Sequence, residues 1–136
     1  MVIDSSALLA ILLGEAEAES FSRAIAGDPK RLVSALSALE AAIVIRARKG
    51  PAGVRELDLL CHVAGVAIVS LDADQVLLAR AAYEKFGKGH HPAALNLGDC
   101  CSYALARSSG EPLLFKGHDF SRTDTVVVDH LSEPPA

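Results

Sequence analysis

A chain of 136 residues, half of them apolar and with a formal net charge of −4, can bury one core and is too short for two large ones. That composition excludes a disordered polypeptide, and the acidic balance excludes the overall basic footprint of many nucleic-acid binders. Three cysteines, Cys61, Cys100 and Cys101, are an odd number, so a disulfide framework is excluded as well. Cys100 and Cys101, about 100° apart if helical, are expected as small core residues in a reducing cytoplasm. The longest apolar stretch, Ala7 to Leu13, is too short to span a bilayer. The opening Met1-Val2-Ile3-Asp4 has no basic segment of the secretory type.

In chain order, Met1 to Ile3 reads as a short buried strand that stops at Asp4. After Ser5-Ser6, Ala7 to Leu13 reads as the first helix, with Asp4 or Ser5 as its cap. After Gly14 an amphipathic helix covers Glu15 to Ala26, and Gly27-Asp28-Pro29 turns the chain. Leu32 to Ser34 is a second strand. A helix from Leu36 to Lys49 ends at Gly50-Pro51, and Pro51 starts another that runs to about Ala64. Val66 to Val69 is a third strand, Asp72 to Phe86 a long helix, and Gly87 to Pro92 a loop. A last helix runs from about Leu97 to Ser109. Leu113 to Phe115 and Val126 to Val128 complete five strands. Short apolar strands alternating with helices predict a three-layer α/β/α sandwich around a mostly parallel sheet, as one domain over residues 1–131 with a flexible tail at 132–136.

Ligands of such sheets bind beyond the carboxyl ends of the strands, and acids fall there. Asp4 follows the first strand and Asp119 the fourth. Asp99 stands in the first turn of the last helix, where its charge suits the helix dipole. Glu40 shares a stripe with Leu36, Leu39, Ile43, Val44 and Ala47, which predicts a carboxylate on the core-facing side of its helix. Each acid has an ordinary alternative: a cap, a turn, or an edge position open to solvent. Together they can converge on one cleft, where their repulsion calls for a hard divalent cation such as Mg²⁺ or Mn²⁺. Such a site suits attack of a metal-activated water on a phosphodiester, and its cations would let an acidic pocket bind RNA.

The segments Val2-Ile3-Asp4-Ser5-Ser6-Ala7-Leu8, Glu40, Gly89 to Cys100 with Tyr103-Ala104-Leu105-Ala106, and Leu114 to Phe120 resemble PIN-domain ribonucleases. The likeness is to the VapC toxins of bacterial type II toxin–antitoxin systems, over nearly the whole chain. The resemblance implies a PIN-like fold, an Mg²⁺- or Mn²⁺-dependent endoribonuclease, a homodimer, and inhibition by a cognate VapB antitoxin. It implies Asp4, Glu40, Asp99 and Asp119 as the catalytic metal ligands. Ser6 matches the hydroxyl residue beside the first acid, and Asp124 a further acidic position. His118 departs from the Asn or Asp frequent before the fourth acid, and His90 stands where a basic residue is common.

Lys116, between a strand and Asp119, is a candidate for contact with RNA phosphate. Arg46, Arg48 and Lys49 suit a helix C-terminus as well as they suit RNA. His90, His91, Cys100 and Cys101 lack zinc-site spacing, so no zinc is expected. His62 and His130 are expected at the surface. The apolar excess of Leu8, Leu9, Ile11, Leu12, Leu13 and Phe21 suits either core packing or a groove for a second copy or an antitoxin. Two other functions stay open: a phosphoreceiver using Asp4, Asp72 and Lys116, and a catalytically silent PIN-like binding module.

Overall fold

A computed structural model describes residues 1–132. The expected tail therefore lies, from residue 133 onward, outside the described residues. Four short strands form one parallel sheet: β1 (Val2–Ile3), β2 (Leu32–Ser34), β3 (Ala67–Val69) and β4 (Leu113–Leu114), in the order β3-β2-β1-β4. Val2 pairs with Leu32 on one side and Leu113 on the other, and Ile3 pairs with Leu114. With neighbours on both edges and helices on both faces, β1 is buried throughout, which is why it is purely apolar. Val2 faces one hydrophobic cluster with Leu113, Leu105 and Phe86; Met1 and Ile3 face the other with Leu8, Phe21 and Ile45. The three-layer expectation holds.

The fifth strand does not form. Val126 to Val128 touches the sheet at a single bridge, Leu113 to Val127, held by two backbone hydrogen bonds. Val126 and Val127 remain largely exposed. An outer segment with no layer over it gains too little burial to extend the ladder, so the sheet has four strands rather than five.

Helix α1 (Ser5–Leu12) starts where Asp4 accepts the Ser6 N–H, and α2 (Ala18–Gly27) follows the turn at Gly14. Leu8 and Phe21 are buried, and Leu9, Ile11, Leu12 and Leu13 pack on the same cluster, so the core consumes most of that apolar excess. Helix α3 (Ala35–Val63) is bent at Gly50, whose φ of 67° and ψ of −160° are open essentially to glycine alone. The two helices expected on either side of Gly50-Pro51 are its two arms. Helix α4 (Ala73–Phe86) is capped by Asp72, and α5 (Leu97–Ser109) by a reciprocal Asn96–Asp99 box. A 3₁₀ turn at Phe120–Arg122 follows β4.

The inner face of α3 differs from its expected stripe. Ser37, Ala41 and Ile45 are buried, whereas Leu39 and Ile43 are exposed. The reason is the close crossing of α3 and α5, where Ser37 Oγ lies 3.0 Å from Ser102 Oγ. Only small residues fit such a contact, so the leucine and isoleucine turn outward. His62 is exposed as expected. His130 is half-buried instead, edge-on to Phe21 at 4.7 Å and 2.9 Å from Ser20 Oγ. No helix among the described residues is long and apolar enough to cross a membrane.

Candidate active site

All four strands end on one edge of the sheet. The strand connections switch sides there: β2 and β3 lie to one side of β1 and β4 to the other, the place where open parallel sheets bind ligands. Asp4 stands at this point with only 3% of its surface exposed. Its Oδ1 accepts a hydrogen bond from Ser102 Oγ at 2.6 Å, and its Oδ2 accepts the Ser6 N–H at 3.0 Å. Asp4 is thus both the cap of α1 and a buried carboxylate of the cleft.

Glu40 reaches the same cleft sideways from α3, not from a core-facing stripe. Ser5 Oγ donates to its Oε1 at 2.5 Å, and its carboxylate lies against Gly98 of α5. Asp99, one residue further along α5, accepts the Asn96 N–H at 3.0 Å. Desolvation first of all raises its carboxyl, to about 7; the Asn96 N–H opposes that, and the negative charges of Asp4, Asp119 and Glu40 raise it further. Asp119 is exposed at the head of the 3₁₀ turn. Four acids from four distant points of the chain therefore share one electrostatic neighbourhood.

The supporting residues fall differently. The Ser6 hydroxyl accepts the Lys116 N–H at 3.0 Å, and only its backbone N–H serves Asp4. The Lys116 ammonium is held by Glu15 and lies 3.4 Å from Glu17, tying the loop after β4 to the turn between α1 and α2. Asp124 is engaged elsewhere: it accepts from Tyr103 Oη at 2.7 Å and faces Arg107 at 3.7 Å. Burial, then the bond to Asp124, pushes the Tyr103 hydroxyl up to about 12. Asp72 caps α4 beyond the edge strand β3, so Asp4, Asp72 and Lys116 form no receiver-type triad. Cys100 and Cys101 are buried, as expected, with thiols raised by desolvation.

Sequence reasoning missed Ser5, Ser37, Ser102 and Gly98. A signal was present for Ser102. Serine competes with its own backbone and is a mediocre helix former, yet it sits in the middle of the Cys100-Cys101-Ser102-Tyr103-Ala104 run.

The donors are all oxygens, one of them on a desolvated carboxylate, and they carry more negative charge than nearby protein cations offset. That fits a hard divalent cation. Among the described residues no three carboxylates close on a single point.

The family model for the PIN domain matches residues 1–126. A "Ribonuclease VapC" of Mycolicibacterium smegmatis is 58% identical over 128 residues, covering 94% of this chain and 99% of that protein. "Ribonuclease VapC30" of Mycobacterium tuberculosis is 56% identical, covering 94% and 98%. The chain belongs to the PIN-domain family and, within it, to the VapC ribonucleases. In structure it is similar to Mycobacterium tuberculosis VapC20, described as a sarcin-ricin loop cleaving toxin. That match has a TM-score of 0.76 at 19% identity and covers 93% of this chain and 97% of that one. It is similar also to a chain of a toxin–antitoxin complex from Klebsiella pneumoniae, with a TM-score of 0.70 at 16% identity.

Proposed function

We propose that this chain is a Mg²⁺- or Mn²⁺-dependent endoribonuclease and the toxin of a type II toxin–antitoxin pair. The observation that carries the reading is that Asp4, Glu40, Asp99 and Asp119 share one electrostatic neighbourhood at the carboxyl edge of the sheet, with Asp4 and Glu40 held there by Ser102 and Ser5. A bound cation would lower the pKa of a coordinated water and neutralise charge developing on the phosphodiester. Asp4, Glu40, Asp99 and Asp119 are the residues that would hold it. Asp4 and Glu40 are pre-oriented by serine hydroxyls, so little reorganisation is needed on binding. Asp99 must give up its proton to join them. The relatives' ribonuclease name supports RNA as the substrate, reached through the cation rather than through a basic surface.

The partners follow from the same family. A VapB-type antitoxin is the expected protein partner, and a second copy is the other. Leu71, Val76, Tyr83 and Leu97 expose apolar surface around a cavity of about 540 Å³ between α4 and α5. Arg80 and Glu84, one turn apart on α4, line the same cavity. A two-fold axis passing midway between Arg80 and Glu84 would set the arginine of each copy against the glutamate of the other, and such a face would be self-complementary.

The test is cleavage of a labelled RNA panel with Mg²⁺, with Mn²⁺ and with EDTA. Cleavage is expected with either metal and lost in EDTA and in Asp4→Asn or Asp99→Asn. Undiminished cleavage by both variants overturns the site assignment. No cleavage of any RNA, with binding of a partner intact, favours a silent module.

A further inference from the structure

We infer that Ser102 and Ser37 form a buried positioning relay that sets the orientation of Asp4 for its cation, a claim that rests on the reading of Asp4 as a metal ligand. Ser102 lies on α5 and Ser37 on α3, and both side chains are fully buried. Ser102 Oγ donates to Asp4 Oδ1 at 2.6 Å, and Ser37 Oγ stands 3.0 Å behind it. A hydroxyl has one hydrogen. Since Ser102 spends its hydrogen on the carboxylate, it can only accept from Ser37. The chain therefore has one polarity, from Ser37 through Ser102 to Asp4, and the negative charge on Asp4 fixes it.

This matters because a carboxylate offers about four lone-pair directions. Ser102 takes one on Oδ1 and the Ser6 N–H takes one on Oδ2. One direction on each oxygen is left for a cation, and the side chain is held against rotation from both ends. A bond from a neutral hydroxyl to an anion is among the stronger kinds, and it strengthens further in a water-free setting. Two hydrogen bonds do not replace the hydration of a charge this buried, so Asp4 retains a demand for positive charge that the relay aims. Neither serine can touch RNA. Their effect has to pass through Asp4.

The experiment compares Ser102→Ala, Ser37→Ala and Asp4→Asn with the unmodified chain. It measures the Mn²⁺ dissociation constant by the electron paramagnetic resonance of free Mn²⁺, thermal unfolding, and cleavage kinetics. Alanine is the best helix former, so the first two variants keep their helices. Loss of a group that orients a metal ligand typically weakens metal affinity by roughly 10-fold or more. That is the expectation for Ser102→Ala, with a smaller loss in the same direction for Ser37→Ala. In both, kcat at limiting Mn²⁺ falls while KM for RNA holds, and excess Mn²⁺ restores the rate. If Ser102→Ala lowers only the unfolding temperature, and Mn²⁺ affinity stays put while Asp4→Asn abolishes it, the relay is wrong and the site stands. If Asp4→Asn binds Mn²⁺ like the unmodified chain, the site reading fails and takes the relay with it.

Discussion

The carboxylate of Glu40 rests on Gly98: a β-carbon there would stand 2.7 Å from Oε2 and 2.8 Å from Oε1. The missing side chain is what lets an acid from α3 share a cleft with the first turn of α5. The contact is with the end of a flexible side chain, so an added methyl displaces Glu40 rather than the backbone. Gly98→Ala is expected to fold with nearly unchanged stability and to lose about 100-fold in kcat/KM for RNA, the scale of a 1 Å misplacement. An unaltered kcat/KM would mean that Glu40 has no fixed place in the chemistry.

Asp99 gives the site a pH dependence whose sign follows from its environment. With a folded carboxyl raised to about 7 and an unfolded one near 3.9, the native chain holds a proton that the unfolded chain has released. The metal-free protein therefore loses stability as pH rises from about 4 through about 7. Proton and cation compete for the same oxygens, so Mn²⁺ affinity rises over that interval and levels above it. Thermal unfolding of the metal-free chain between pH 4 and 8 checks this. Asp99→Asn should remove the contribution of that residue to the slope.

Tyr103 and Asp124 make a prediction of the opposite kind. Their 2.7 Å hydrogen bond joins α5 to the segment after β4, away from the acids. Removing a hydroxyl of this kind costs roughly 1 kcal/mol. Tyr103→Phe should lower the unfolding temperature by a few degrees and leave Mn²⁺ affinity and cleavage at 25 °C unchanged. A collapse of metal binding would return Asp124 to the ligand set.

The α4 face can be probed by charge reversal. Arg80→Glu would set like charges against each other across the proposed two-fold, and such juxtapositions cost several kcal/mol. Sedimentation should show the dimer weakened by at least about 10-fold. Arg80→Glu combined with Glu84→Arg restores opposite signs and should restore the dimer. A double variant no better than the single one would move the interface elsewhere.

The parallel sheet and its order of helices could be read from the chain because they rest on local signals, apolar triplets and caps. The four acids each had an ordinary alternative, and the resemblance to PIN-domain ribonucleases is what singles them out. The periodicity that points to Glu40 does not describe how it reaches the cleft. The stripe of Leu39 and Ile43 faces outward, and the glutamate reaches the cleft because Gly98 makes room, a relation between positions 58 residues apart that periodicity cannot register. Ser37, Ser102 and Ser5 escaped for the same cause, since a serine in a helix says nothing of what lies across from it. Ser6 serves Asp4 through its backbone N–H while its hydroxyl accepts the Lys116 N–H, and the Lys116 ammonium pairs with Glu15, contacts that no local pattern in the chain announces. Val126 to Val128 shows that β-branched residues alone do not make a strand when nothing covers them.

The bend at Gly50 divides the labour of α3. The arm before it is anchored by Ser37, Ala41 and Ile45 and delivers Glu40; the arm after it has its own anchors in Gly53 and Leu57 and shows Leu59 and Val63 to the outside. A load placed on the outer arm would meet the break at Gly50 before it met the arm that carries Glu40. A protein that grips Leu59 and Val63 would leave the four acids in register, and it could silence them only by covering the cleft or by adding a charge of its own.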